Sequence, residues 1–120
     1  MPAALGRILI YTRHLDEMTR FYCEYFGFRA IRHDGDRIVE LRPEGAGATI
    51  LLHPAAQGQK QGQALVKLVF DLEDVEDFCR RAALGGLTFG PIHKADGYAF
   101  ANANDPSGNT VSVSSRAYRD

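Results

Sequence analysis

The chain has 120 residues, enough for one domain with a hydrophobic core but too few for two large independent ones. Hydrophobic residues make up 45% and charged residues 24% of the sequence, which is typical of a globular protein. The net charge of −1 and the strand-length apolar runs exclude a strongly basic nucleic-acid-binding surface and a membrane-spanning helix.

The first half of the chain predicts a strand, a helix and three further strands. Residues 7–12 are rich in β-branched and aromatic side chains, which favours a strand. Apolar residues then recur at the helical spacing i, i+3, i+4, i+7, i+8, at Met18, Phe21, Tyr22, Tyr25 and Phe26. Asp16 and Glu17 are expected to cap this helix, and Gly27 to end it. Three strands are predicted over residues 28–33, 37–42 and 48–53.

The second half repeats this order after a polar, glutamine-rich linker over residues 57–63. A helix is predicted from the same apolar spacing, with Asp74 as its cap and Gly85-Gly86 at its end. The apolar positions of this helix are Val75, Phe78, Cys79, Ala82 and Ala83. Strands are predicted over residues 64–71, 87–92, 98–103 and 110–115, with a turn over residues 93–97.

Two βαβββ units in tandem therefore define an α+β fold with an internal repeat. The first repeat spans about residues 5–56, and the second spans about residues 64–116. Neither repeat has enough apolar surface to cover both its helix and its sheet, so we expect one domain over residues 1–120. The two cysteines do not make a disulfide framework, and Cys79 is expected to be an inert thiol on the inner face of its helix.

Two segments carry a resemblance to a known family. Residues 8–16 lead from a strand into Phe21-Tyr22 and then Phe26-Gly27-Phe28, and residues 105–113 read Asp-Pro-Ser-Gly-Asn followed by a strand. Together they resemble the opening and closing motifs of the vicinal oxygen chelate superfamily, which includes glyoxalases, bleomycin-resistance proteins and extradiol dioxygenases. His14 stands where the family usually has Asp. The resemblance implies a cupped mixed sheet with the helices outside, and a homodimer.

The resemblance also assigns positions to the metal ligands of the family, which come from the first and fourth strands of each repeat. In this sequence those positions are Arg7, Leu51, Lys67 and Ser112. None of these is a usual ligand for a divalent transition metal, and two are cations that would repel one. We therefore predict no metal cofactor.

Strand alternation predicts which side chains line the cup. The apolar members are Leu9, Leu51 and Val69, and the polar members are Arg7, Tyr11, Thr49, His53, Lys67, Asp71, Thr110, Ser112 and Ser114. Such a mixed concave wall is typical of small-ligand sites, and the two cations favour a carboxylate. The residues expected to bind a ligand are Arg7, Lys67, Tyr11, Leu51, His53 and Ser112.

Each of these assignments has a structural alternative. In the alternative interpretation, Arg7 and Lys67 pair with Glu40 or Asp71 and fill the cup as salt bridges. His53 is either an ordinary residue at a strand end or, with Tyr11, a candidate for acid/base catalysis. The aromatic side chains at positions 98 and 100 are expected to serve packing rather than stacking on a substrate.

Two functions follow from these residues. The first is a cytoplasmic protein that binds a small, anionic organic molecule without a metal, with no nucleic-acid or membrane partner. The alternative is a metal-dependent or acid/base lyase or dioxygenase, for which a metal would have to be held by other residues such as His53 and Glu40. Whether the protein is an enzyme is left open by the sequence.

Overall fold

The computed structural model describes residues 2–119, which divide into two compact units at Gln61 and Gly62. The elements of the first unit are β1 (Arg7–Thr12), α1 (Leu15–Phe26), β2 (Arg29–Arg32), β3 (Val39–Arg42) and β4 (Thr49–Pro54). Those of the second unit are β5 (Leu68–Asp71), α2 (Val75–Leu84), β6 (His93–Lys94), β7 (Ala99–Asn104), β8 (Thr110–Ser114) and a 3-10 helix (Arg116–Tyr118). The predicted α+β class with two tandem βαβββ repeats is confirmed.

The sheet of the first unit has the order β1-β4-β3-β2, in which β1 and β4 are parallel and the other pairs are antiparallel. Strands β1 and β4 are neighbours in the sheet. Two parallel strands need a long connection between them, and α1, β2 and β3 provide it here. One face of the sheet packs against α1. The buried apolar side chains of this unit are Met18, Phe21, Tyr22, Val39, Leu41, Ile50 and Leu52.

The second unit has the same topology, with the order β5-β8-β7-β6 and a parallel β5–β8 pair. Its core differs in the size of the side chains. The buried apolar residues are Val75, Ala82, Ala101, Ala103, Val111 and Val113, all of them alanine or valine. In both sheets, successive side chains of a strand point to opposite faces. One is a covered face, which packs against the helix of the same unit, and the other is called the open face.

The ends of the two helices are held differently. Gly27 ends α1 with φ 73°, a left-handed conformation that glycine adopts at little cost. At the start of α2, Asp74 Oδ1 accepts a hydrogen bond from the backbone N–H of Asp77 at 3.0 Å, as predicted. The prediction that Asp16 and Glu17 cap α1 is wrong. Both lie inside its first turn, where they favour the helix dipole, and the capping position, His14, makes no capping bond through its side chain.

Two predicted elements of the second unit are also wrong. Residues 87–92 do not form a strand, and residues 93–97, predicted as a turn, contain the short strand β6. Pro91 has no N–H to contribute to a ladder, and Gly90 weakens a strand. The segment nevertheless contacts β7, because the Gly90 N–H donates to the carbonyl of Asn102 at 2.8 Å.

The polar linker is anchored where it leaves the first unit. Gln61 Oε1 accepts hydrogen bonds from Thr12 Oγ1 at 3.3 Å and from the Arg13 N–H at 3.0 Å. The Arg13 guanidinium donates in turn to the carbonyl of Gln59 at 3.0 Å. The end of β1 therefore fixes the course of the linker. Within residues 2–119, no helix is both long enough and apolar enough to cross a membrane.

Candidate functional site

The open face of the first sheet is set by the register of β1 and β4. Arg7 pairs with Thr49, Leu9 with Leu51, and Tyr11 with His53. Aligned residues of neighbouring strands point to the same face of a sheet. These six side chains therefore share the face opposite the buried Ile50 and Leu52, as the alternation predicts.

This face combines exposed apolar area with an unpaired cation. Leu9 is 40% exposed and Tyr11 is 49% exposed, although both are large apolar side chains in a strand. Among the residues that the structure describes, Arg7 makes no ion pair. The proposed structural pairing of Arg7 with Glu40 is not formed, because Glu40 Oε2 instead pairs with Arg42 Nη2 at 2.7 Å. The guanidinium of Arg7 is left available to an anion.

Tyr11 and His53 form a contacting pair on the same face. Their rings meet edge to face with centroids 5.3 Å apart. His53 Nδ1 lies 2.8 Å from the carbonyl oxygen of Pro54, which can only accept a hydrogen bond. Nδ1 therefore carries the proton, and in the neutral ring Nε2 has the lone pair. This is the arrangement that a general base requires.

In the second sheet, Val69 pairs with Ser112 and lies on the open face with 55% of its surface exposed. Lys67, just before β5, reaches the same face, because its Nζ donates to Asn102 Oδ1 at 3.1 Å. The pairing of Lys67 with Asp71 is not formed among the described residues. Ser112 is buried, and its hydroxyl donates to the carbonyl of Ala101 at 3.2 Å, so only its lone pairs remain for a ligand.

Sequence reasoning missed the neighbours of Lys67. Besides its bond to Asn102, Lys67 Nζ lies 5.6 Å from the centroid of the Phe100 ring, a cation–π contact. Phe100 and Asn102 pair with Ser114 and Ser112, which places them on the open face. The sequence could have indicated this placement. Strand β7 alternates with period two, and its buried positions are Ala101 and Ala103, so Phe100 and Asn102 must point to the opposite face.

The resemblance places the metal ligands of the family at four positions of this chain. In the first unit these positions are Arg7 and Leu51, and in the second they are Lys67 and Ser112. Together they supply no imidazole, thiolate or carboxylate, which are the ligands that transition-metal ions take.

The sequence profile of the Glyoxalase/Bleomycin resistance protein/Dioxygenase superfamily matches residues 4–113. The match covers nearly the whole chain, and the fold agrees with it. The protein therefore belongs to this superfamily, as its end motifs predicted. No curated protein sequence matches the chain.

Solved structures show the same fold at low sequence identity. The antibiotic-binding protein TnmS3 from Streptomyces sp. CB03234 superposes with a TM-score of 0.78 at 19% identity, covering 93% of this chain and 94% of its own. UcmS2 superposes with a TM-score of 0.79 at 21% identity, covering 96% of this chain and 99% of its own. Lactoylglutathione lyase from Agrobacterium tumefaciens superposes with a TM-score of 0.71 at 20% identity, covering 95% of this chain and 94% of its own. The fold is thus similar to that of an antibiotic-binding protein and to that of a lyase, and it does not choose between binding and catalysis.

Proposed function

We propose that the protein binds a small, anionic organic molecule on the open face of its first sheet, without a family metal. The observation that carries the proposal is Arg7, a cation with no ion pair among the described residues, beside exposed Leu9 and Tyr11. A guanidinium can hold a carboxylate through two parallel hydrogen bonds, and the adjoining apolar area suits the carbon skeleton. Leu51 and His53 are proposed to complete the contacts on this face, and Lys67 and Ser112 are proposed as ligand contacts on the second sheet.

Similarity to an antibiotic-binding protein supports the binding of a small molecule. The absence of a metal is proposed because the residues at the four ligand positions are not usual metal ligands. Metal analysis of the purified protein tests this part, and we expect less than stoichiometric Zn, Fe, Ni or Mn. A stoichiometric ion that survives dialysis would contradict it.

The binding proposal is tested by calorimetric titration with cyclohexanecarboxylate and with cyclohexanemethanol as the neutral match. We expect the carboxylate to bind and Arg7→Gln to weaken it about tenfold or more, because a charged hydrogen bond contributes about 1.5–3 kcal/mol. Arg20→Gln is the control, since Arg20 is also exposed but lies on α1. Equal binding of acid and alcohol, or equal effects of the two variants, would refute the role of Arg7.

The Tyr11–His53 pair favours a second candidate function, acid/base catalysis as a lyase. His53 has its Nδ1 proton held by a carbonyl, which orients Nε2 to accept a proton. An assay for lactoylglutathione formation tests this candidate. If the protein is active, His53→Gln should lower kcat by about a hundredfold or more, while His33→Gln, in an exposed position after β2, should not.

A homodimer in the cytoplasm remains part of the proposal. Strands β1 and β2 are the terminal strands of the first sheet, and β5 and β6 are those of the second. Terminal strands carry backbone groups that can pair with another chain. Light scattering coupled to gel filtration checks the dimer, and a monomer at all concentrations would exclude it.

A further inference from the structure

A row of three rings lies on the second unit. Phe100 is in β7, His93 is its partner in β6, and Tyr98 precedes β7 by one residue. The His93 and Phe100 ring centroids are 5.0 Å apart, and those of Phe100 and Tyr98 are 6.2 Å apart, both pairs tilted by 31°. The residue after Phe100 in β7, Ala101, is fully buried on the other face. The rings are therefore not the part of β7 that fills the core.

Cations stand over both Phe100 and Tyr98. Lys67 Nζ lies 5.6 Å from the Phe100 centroid, and the guanidinium carbons of Arg116 and Arg119 lie 5.2 and 5.5 Å from the Tyr98 centroid. Arg116 Nη1 also donates to the Tyr98 hydroxyl at 3.0 Å. Over the part of the chain that the structure describes, none of the three cations pairs with a carboxylate. Each keeps unused N–H donors, since lysine has three and arginine five.

We propose that this row, formed by His93, Phe100 and Tyr98 with Lys67 and Arg116, binds a flat aromatic carboxylate. The ring of the ligand would stack on the half-buried rings of Phe100 and Tyr98, where offset stacking is favourable, and its carboxylate would take the unused donors. This inference rests on the proposed binding function and adds two requirements to it, a planar ring and recognition by the second unit. A single-stranded nucleic acid uses similar contacts, but the net charge of −1 disfavours a polyanion.

The test compares naphthalene-2-carboxylate with naphthalene-2-methanol, with cyclohexanecarboxylate and with an oligothymidylate, by calorimetry on the intact protein. We expect the aromatic acid to bind at least about tenfold more tightly than the neutral and the non-aromatic compounds. Equal affinity for the two carboxylates would overturn the proposal. Tighter binding of the oligothymidylate would overturn it as well, in favour of a nucleic acid.

Substitutions in the row test whether the aromatic carboxylate binds there. Phe100→Leu keeps apolar volume but removes the ring, and Lys67→Met and Arg116→Gln each remove a charge. Each should weaken naphthalene-2-carboxylate about tenfold. Arg37→Gln and Lys60→Met, at exposed positions of the first unit, are the matched controls. If Phe100→Leu does not fold, Lys67→Met and Arg116→Gln still decide, because both side chains are exposed and outside the core.

The binding results distinguish failure of this inference from failure of the proposed function. Binding of cyclohexanecarboxylate that depends on Arg7 but not on Phe100, with no preference for the aromatic acid, would keep the proposed function and overturn this inference. Binding of the aromatic acid that depends on Phe100 but not on Arg7 would support the inference and contradict the role given to Arg7. No binding of either carboxylate would overturn both.

Discussion

A buried carboxylate organises the turn between β7 and β8. Asp105 Oδ1 accepts hydrogen bonds from the backbone N–H groups of Ser107 and Asn109, both at 2.9 Å. Asp105 Oδ2 accepts from Asn109 Nδ2 at 3.0 Å. A charged group is buried at acceptable cost only when such donors surround it. This turn sets the start of β8, which carries Ser112.

Replacing this carboxylate should destabilise the protein. Asp105→Ala leaves buried N–H groups without an acceptor, and we expect the free energy of unfolding to fall by about 2–3 kcal/mol. Urea denaturation followed by circular dichroism measures the change. Asp96→Ala, in the exposed turn before β7, is the control and should cost less than about 0.5 kcal/mol. Equal costs would show that the turn does not depend on the Asp105 side chain.

The two cysteines are free and half-buried. Burial raises the pKa of the Cys23 thiol, although a backbone hydrogen bond at Ala30 and the charge of Arg32 act in the opposite direction. Burial alone raises the pKa of the Cys79 thiol. In both residues the folded state therefore favours the protonated thiol, which agrees with the expectation that Cys79 is inert.

A pH dependence follows from these pKa directions. Because the pKa is higher in the folded than in the unfolded chain, the associated stability is present below the ordinary value of 9.0 and is lost as the pH rises through the folded value. We expect the free energy of unfolding to fall less between pH 8 and pH 10.5 in a Cys23→Ala, Cys79→Ala variant than in the wild type. An identical fall in both proteins would contradict this cause.

At the scale of elements, the two helices give a matched comparison of capping. Asp74 bonds to the N–H of Asp77 and so satisfies one of the free donors at the start of α2. His14 occupies the same place before α1, but its side chain instead contacts Glu17, with Nδ1 to Oε2 at 3.2 Å. That contact is exposed, and exposed ion pairs contribute little to stability.

The cost of removing each side chain should therefore differ. Asp74→Ala is expected to lower the free energy of unfolding by about 1 kcal/mol, the usual cost of a lost N-cap. His14→Ala should cost less than about half of that, because no capping bond is lost. Thermal or urea denaturation of both variants provides the measurement. A larger loss for His14 would mean that its ring supports α1 through another contact.

Periodicity in the sequence predicted both helices and seven of the eight strands, although β5 begins at Leu68, four residues later than predicted. The strand over residues 87–92 was wrong, because apolar content there suggested a ladder that Gly90 and Pro91 do not form. The alternation of β1 and β4 was correctly predicted, since period two is local. The contacts of Lys67 with Phe100 and Asn102 were not, because they depend on side-chain conformation across strands.

At the scale of the whole molecule, the two units have one topology but unequal cores. Among the described residues, the buried apolar side chains of the first unit include Met18, Phe21, Tyr22 and Leu52, and those of the second are alanines and valines. The apolar area that each side chain removes from water scales with its size. The fully buried part of the core therefore contributes less hydrophobic stabilisation in the second unit than in the first.

This difference predicts how separate halves will behave. A chain of about 60 residues is marginally stable even with a good core. We expect residues 62–120, expressed alone, to be unfolded or much less stable than the intact protein, and less stable than residues 1–61. Circular dichroism and urea denaturation of the three chains test this. If both halves unfold at the midpoint of the intact chain, the expected single domain must be replaced by two independent ones.

The positions of Tyr11 and Tyr98 have an optical consequence. The chain has no tryptophan, so its intrinsic fluorescence comes from five tyrosines. One of them stands on the open face of the first sheet, and another belongs to the ring row of the second unit. With either exchanged for phenylalanine, a ligand that binds as proposed should change the emission of the one that is left, above a background from the other three tyrosines. Tyr11 and Tyr98 can thus serve as spectroscopic labels for the two proposed binding places.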